Sequence, residues 1–316
     1  MSSALPVAQT PALSYGPLPG YTSIVAGIAT PGVAYVELAR PLRHNAFHEQ
    51  LWDEFPRIVV AGQGRNFCAG IDVAYLRRNF LALEQRPPPA SGAGGGGGAL
   101  AAGAASAEAP PAGCPGMQRA AMRRSILALQ EAFSEIERCR SPVIAAVQGR
   151  CIGGGVDLVT ACDLRLCSED ASFCVKEVDL AIAADLGTLQ RLPHIVGHGA
   201  AMDLALTART VDAVEAKRMG LVSHVVAAAP DGAALQPRPV VAAALQLAAR
   251  LASKPLLAVQ GTKRVLLHAR DQPRVADGLD YVATWNSAQL LSSDLMAALA
   301  GAGAGAGSAG TPRARL

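Results

Sequence analysis

At 316 residues, 51% of them hydrophobic and 17% charged, the chain carries enough apolar mass for one substantial buried core and has the composition of a globular protein. Its net charge of +3 comes from scattered Lys and Arg residues, which argues against the basic footprint of a nucleic-acid binder. The richest apolar stretch is interrupted by Asp157, Asp163 and Arg165 and so is too short to span a bilayer, and the seven cysteines sit mostly in apolar runs, as buried thiols rather than a disulfide framework.

Residues 1–32, rich in Pro, Gly, Ser and Thr, read as a flexible lead-in without the basic character of a secretory or mitochondrial leader. The alternating, β-branched run Val33 to Leu38 predicts a strand, and Arg57 to Ala61 a buried one. A glycine turn, Phe67-Cys68-Ala69-Gly70-Ile71-Asp72, follows. Residues 84–117, with Pro87-Pro88-Pro89 and five consecutive glycines at 94–98, have too little apolar surface to offset the entropy of ordering and predict a disordered insert.

From Gln118 to Cys139, apolar residues at three- and four-residue intervals predict an amphipathic helix. Pro142 to Val147 reads as a strand, and Gly153-Gly154-Gly155 as a strand-to-helix junction that opens a helix running to Cys162. Leu164 to Cys167 and Ser172 to Lys176 read as short strands, and the chain beyond Thr188 as mostly helical. The pattern predicts an α/β core over 33–230, a helical region over 231–299 and a flexible tail over 300–316.

The chemistry gathers around the two glycine turns. Amides at a glycine-opened helix start are unpaired and lie at the positive end of the helix dipole, so that place suits an oxyanion, and the turn at 67–72 supplies a second amide. His44 with His48, and His194 with His198, have the four-residue spacing of helical metal ligands but no third ligand, so no metal site is expected. Lys263 and Arg264 are plausible phosphate contacts on a helix.

Arg65 through Asp72 and Ser141 through Asp157 resemble the two signature stretches of the enoyl-CoA hydratase/isomerase (crotonase) superfamily. Ala161-Cys162-Asp163-Leu164-Arg165, Leu189 through Pro193 and Ala216 through Val222 are similar to further motifs of that family. The resemblance implies a crotonase-type spiral of ββα units with a helical C-terminal region, assembled as a homotrimer or homohexamer. It implies an acyl-CoA substrate, with no cofactor beyond the coenzyme A of the substrate itself. It places the thioester-binding turn at Ala69, Gly70, Ile71 and Asp72, with the amides of Ile71 and Gly154 as the oxyanion hole.

Within the family the acids decide the reaction. Hydratases carry glutamates at the positions of Asp157 and Glu177 and commonly a small or apolar residue at that of Asp185. The trio Asp157, Glu177 and Asp185, with Asp280 through Asn286 near the end, resembles the branch that isomerises 3,5-dienoyl-CoA to 2,4-dienoyl-CoA in β-oxidation. An enoyl-CoA hydratase and a non-catalytic binding protein on the same fold are the alternatives. Asp163 beside Arg165, Asp170 and Asp179 read as structural acids. About a dozen residues of the family pattern, near three helical turns, are missing between Trp52 and Arg57. The chain closes on Ala314-Arg315-Leu316, which is similar to a peroxisomal address read by the import receptor; a mitochondrial location is the alternative.

Overall fold

The computed structural model describes residues 14–17, 24–30, 33–43, 45, 59–72, 74, 115–229, 238–290, 292, 293, 295–297 and 299. The expected shortening between Trp52 and Arg57, the insert as far as residue 114, the pair His44 and His48 and the tail 300–316 lie outside them.

A seven-stranded sheet forms the base. Its strands are β1 (Ser14–Pro17), β2 (Ile24–Thr30), β3 (Val33–Leu38), β4 (Val59–Gly62), β5 (Ile144–Val147), β7 (Leu164–Ser168) and β10 (His224–Val226), in that spatial order. The first two pairings are antiparallel and the rest parallel. A smaller sheet holds β6 (Arg150–Ile152), β8 (Ser172–Cys174) and β9 (Val211–Asp212), and a bridge from Cys68 to Cys151 extends it towards the first glycine turn. Two expectations change here: residues 1–32 contain strands β1 and β2, and the region after Thr188 includes two short strands, β9 and β10.

The period of two along each strand sorts side chains to opposite faces. Ala145 and Val147 of β5 join the core beneath the small sheet, with Phe67, Phe133, Cys151, Leu158 and Phe173. Ile144 and Ala146 face the other way, onto α6 (Pro239–Ala252), where Val240, Val241 and Ala244 are buried beside Tyr35 and Leu166. Covered on both faces, the central strands read in the sequence as continuous apolar runs rather than alternating ones.

Each circuit of the chain runs from large sheet to small sheet to helix: β5, β6, α2 (Gly154–Ala161), then β7, β8, α3 (Thr188–Val196) and α4 (His198–Thr207). This is the expected spiral of ββα units. Helix α1 (Pro115–Arg138) begins with a proline where a missing amide hydrogen has no consequence, so the insert gives way to helix before residue 117. Helix α5 (Ala213–Arg218) is capped by Asp212, whose Oδ1 accepts from the Glu215 amide at 2.8 Å. Helices α7 (Leu256–Asp271) and α8 (Val275–Gln289) close the described chain. Among the described residues no single helix is long and apolar enough to cross a membrane.

Candidate active site

Asp157 lies in the first turn of α2 and is 1% exposed. Burial pushes its carboxyl up to about 6, against the pull of two hydrogen bonds. Both end on the same oxygen: the amide and the hydroxyl of Thr188 each donate to Asp157 Oδ1 at 2.7 Å. Thr188 is the first residue of α3 and is fully buried.

Glu177 opens a 3-10 turn (Glu177–Leu180) that follows β8. Its Oε2 is buried with no hydrogen-bond partner. Burial is again the largest cause pushing its carboxyl up, to about 7, and the negative charges of Asp157 and then Asp185 add to it. Asp185 stands in the loop before α3, exposed to solvent, although partial burial of its carboxyl still raises its proton affinity. Its main-chain oxygen accepts from Gln130 Nε2 of α1 at 2.6 Å. Its apolar neighbours shelter Asp185 only in part, because Ala184 is buried but Leu180 and Ile182 are 45% and 46% exposed.

The three acids therefore come from three separate elements and feel one another's charge. Glu177 meets the glycine turns at Gly153, whose φ is 53°, a conformation that favours glycine. A methyl there would lie 3.1 Å from Glu177 Oε1 and 3.7 Å from the Gly70 Cα, so the backbone can only approach this closely without a side chain. Gly70, at φ 91°, turns its amide onto Cys68 Sγ at 3.4 Å, which commits that N–H to the interior. Ile71 and Gly154 are half-buried beside it, and Gly154 is the first residue of α2, where an amide has no intrahelical acceptor. Ala69 is half-buried, and Asp72 accepts from the Ala74 amide at 2.9 Å and pairs with Arg40 at 3.5 Å.

The remaining acids, cations and histidines read from the sequence have the following surroundings. Asp163 pairs with Lys263 and not with Arg165: Lys263 Nζ is 2.7 Å from Asp163 Oδ2, and the Val143 amide donates to the same oxygen at 2.7 Å. Arg165 instead donates to the Cys162 carbonyl at 2.5 Å and the Leu221 carbonyl at 2.8 Å, capping the end of α2. Lys263 is thus engaged in the interior and is not a phosphate contact, whereas Arg264 is exposed. Asp170 accepts from the Ser168 hydroxyl and Asp179 pairs with Lys176, so both are structural. His194 and His198 fall on two helices broken at Gly197, and among the described residues no three His, Cys, Asp or Glu side chains group to hold a metal.

Sequence reasoning missed Thr188, although a threonine just after Gly187 at a helix start is a recognisable signal for a side chain that bonds rather than packs. A cavity of about 740 Å³ lies elsewhere, between α7 and the end of α2, and touches none of the three acids. Of the three acids only Asp185 is exposed, and Val178, Leu180, Ile182 and Leu189, near Glu177 and Asp185 along the chain, are exposed with it.

The model of the enoyl-CoA hydratase/isomerase family matches residues 93–284. The chain is 42% identical over 276 residues to the peroxisomal Delta(3,5)-Delta(2,4)-dienoyl-CoA isomerase of Arabidopsis thaliana, covering 83% of this chain and 87% of the relative. It is 40% identical over 310 residues to the mitochondrial Delta(3,5)-Delta(2,4)-dienoyl-CoA isomerase of Homo sapiens, covering 93% and 83%. Among solved structures it is similar to an enoyl-CoA hydratase from Bacillus anthracis, with a TM-score of 0.70, 25% identity and coverage of 90% and 97%. A putative enoyl-CoA hydratase from Thermobifida fusca YX in complex with CoA superposes with a TM-score of 0.64 at 32% identity, covering 85% and 93%.

Proposed function

The chain belongs to the enoyl-CoA hydratase/isomerase family and is an isomerase of 3,5-dienoyl-CoA to 2,4-dienoyl-CoA, and on that premise we propose how its three carboxylates share the reaction. Glu177 removes a proton from C2, the charge spreads through an enolate conjugated from C1 to C6 with the thioester oxygen as its main seat, and Asp185 returns a proton at C6. The C3=C4 and C5=C6 bonds become C2=C3 and C4=C5. One observation carries this assignment: two raised carboxyls, Glu177 and Asp185, stand on separate elements with Asp157 buried behind them, so two proton transfers at distant carbons need not share one group.

A base is most effective with a pKa near the working pH, and about 7 meets that condition for Glu177. Its unpartnered Oε2 leaves a lone pair for the C2 proton. Exposure lets Asp185 regain its proton from solvent after each turnover. The amides of Ile71 and Gly154 serve the oxyanion, Ala69 and Gly70 shape that turn, and Asp72 holds it through Ala74 and Arg40. The coenzyme A belongs to the substrate, and the assigned steps require no metal or redox cofactor.

The test is a spectrophotometric assay with 3,5-dienoyl-CoA that follows the conjugated product. Glu177→Gln and Asp185→Asn are each expected to lose on the order of 10²–10⁴-fold in kcat. Unchanged rates in both variants overturn the assignment, and an Asp185→Asn protein that hydrates 2-enoyl-CoA at full rate points to a hydratase. The named relatives divide between peroxisome and mitochondrion. The closing Ala314-Arg315-Leu316 supports the peroxisome and its import receptor, and a fluorescent fusion ending at Arg315 is the check. Assembly as a trimer or hexamer is supported by exposed Leu266, Val275 and Leu279 on α7 and α8, and sedimentation tests it.

A further inference from the structure

Thr188 donates twice to one oxygen of Asp157, from the amide and from the hydroxyl, both at 2.7 Å and both fully out of solvent. Two donors on one buried oxygen are more than a packing role needs: a backbone amide alone would tie α3 to α2, and a valine would fill the same space. Hydrogen bonds to an ionised acceptor are roughly twice as strong as neutral ones, so this pair favours carboxylate over carboxylic acid. Thr188 also opens α3, so its N–H points from the positive end of that helix.

We infer that Thr188 is a positioning residue that holds Asp157 as an anion behind Glu177, so that this buried charge sets the protonation of the base. The inference rests on the reading of Glu177 as base. Other charged groups around the pair come from every neighbouring element. Asp185 of the loop before α3 opposes ionisation of Asp157, and Arg191 of α3 favours it. Arg191 is itself bound to Glu137 of α1, which also holds Arg270 of α7. Cys68 and Cys151, beneath the glycine turns, are thiols that burial keeps neutral. Lys176 and Asp179, flanking Glu177, pair with each other at the surface. Among the described residues the hydrogen bonds seen on the Asp157 carboxylate come from Thr188.

Loss of the hydroxyl raises the proton affinity of Asp157. The proton that Glu177 would hold then resides on Asp157, the repulsion on Glu177 is relieved, and the base is free at lower pH. The measurement is the ascending limb of kcat/KM against pH for the native chain, Thr188→Val, Thr188→Ala and Thr188→Ser, with ¹³C titration of the carboxyls in the free proteins. A shift of the limb by about one pH unit towards acid, tenfold in proton concentration, is expected in the valine and alanine variants, with the serine variant unmoved. The alanine variant keeps the test open if valine disturbs folding. A lowered rate with the limb in place, or a shift towards alkali, overturns the inference. Glu177→Gln separates the two levels: a rate and limb like the native chain's would remove the base assignment itself, whereas a dead Glu177→Gln beside an unmoved Thr188→Val removes only the role of Thr188.

Discussion

Glu177 combines catalytic fitness with a stability cost. A carboxyl whose folded pKa lies above its unfolded value binds its proton more tightly when folded. The resulting stabilisation is fully present below about 4.5 and is lost as pH rises through about 7. A shift of that size corresponds to about 2–3 kcal/mol once relaxation at the partly open site is allowed for. Glu177→Gln, which cannot ionise, is therefore expected to match the native chain in thermal unfolding at pH 4.5 and to exceed it in melting temperature at pH 8. Equal melting temperatures at pH 8 would show that the carboxylate is solvated in the folded state. At this scale the acids were legible because the motifs around Asp157 and Glu177 fix their places by the glycine turns. The partner of Asp157 was not, since Thr188 is 31 residues away and only the fold brings them together. Asp163 misled for the same reason: Arg165, two residues along, was the near cation, but the strand aims it at the end of α2.

Elements from distant parts of the chain meet closely where α2 starts. Gly155 lies within a helix, where alanine is ordinarily better by up to about 1 kcal/mol. Here a methyl on Gly155 would lie 2.9 Å from the Cβ of Cys68 and 3.3 Å from Cys151 Sγ, because the helix rests directly on the strand pair joined by those cysteines. Gly155→Ala is accordingly expected to reverse the usual sign and cost about 1–3 kcal/mol in urea denaturation, with the oxyanion turn displaced and kcat lowered. A stabilised variant would mean that α2 can ride up off the small sheet without consequence. The strand-to-helix junction at Gly153-Gly154-Gly155 was plain in the sequence, as were β3, β5 and β7, whose apolar runs are buried on both faces. Strand β1, Ser-Tyr-Gly-Pro, reads locally as a turn and is a strand only through its pairing with β2, whereas β2, Ile-Val-Ala-Gly-Ile-Ala-Thr, carries an apolar, β-branched signal that the Pro, Gly, Ser and Thr of the surrounding segment masked. The two-residue β9 and three-residue β10 are too short to leave any periodic signal.

At the scale of the molecule, the attachment of α7 to the core had no sequence signature, because both of its anchors pair with residues about a hundred positions away. Helix α7 buries only Gly261, where the Trp285 indole of α8 fits against it, and Lys263. Lys263 and Arg270, seven residues apart and so on one face, reach across the cavity of about 740 Å³ to Asp163 and Glu137. Apolar contact contributes little along this face, and the ion pairs carry the docking. The Lys263–Asp163 side chains are 5% and 20% exposed, so the pair is shielded from salt and the loss of one partner strands a buried charge. Lys263→Met is expected to cost about 3–5 kcal/mol and to speed amide exchange along α7, far beyond the ~1 kcal/mol ceiling of a surface pair. Adding Asp163→Asn, which keeps an oxygen for the Val143 amide, removes the stranded charge and should recover much of that loss. If the double variant is as unstable as the single one, the uncompensated charge is not the source of the cost, and α7 must be held by its remaining bridge through Arg270 and Glu137.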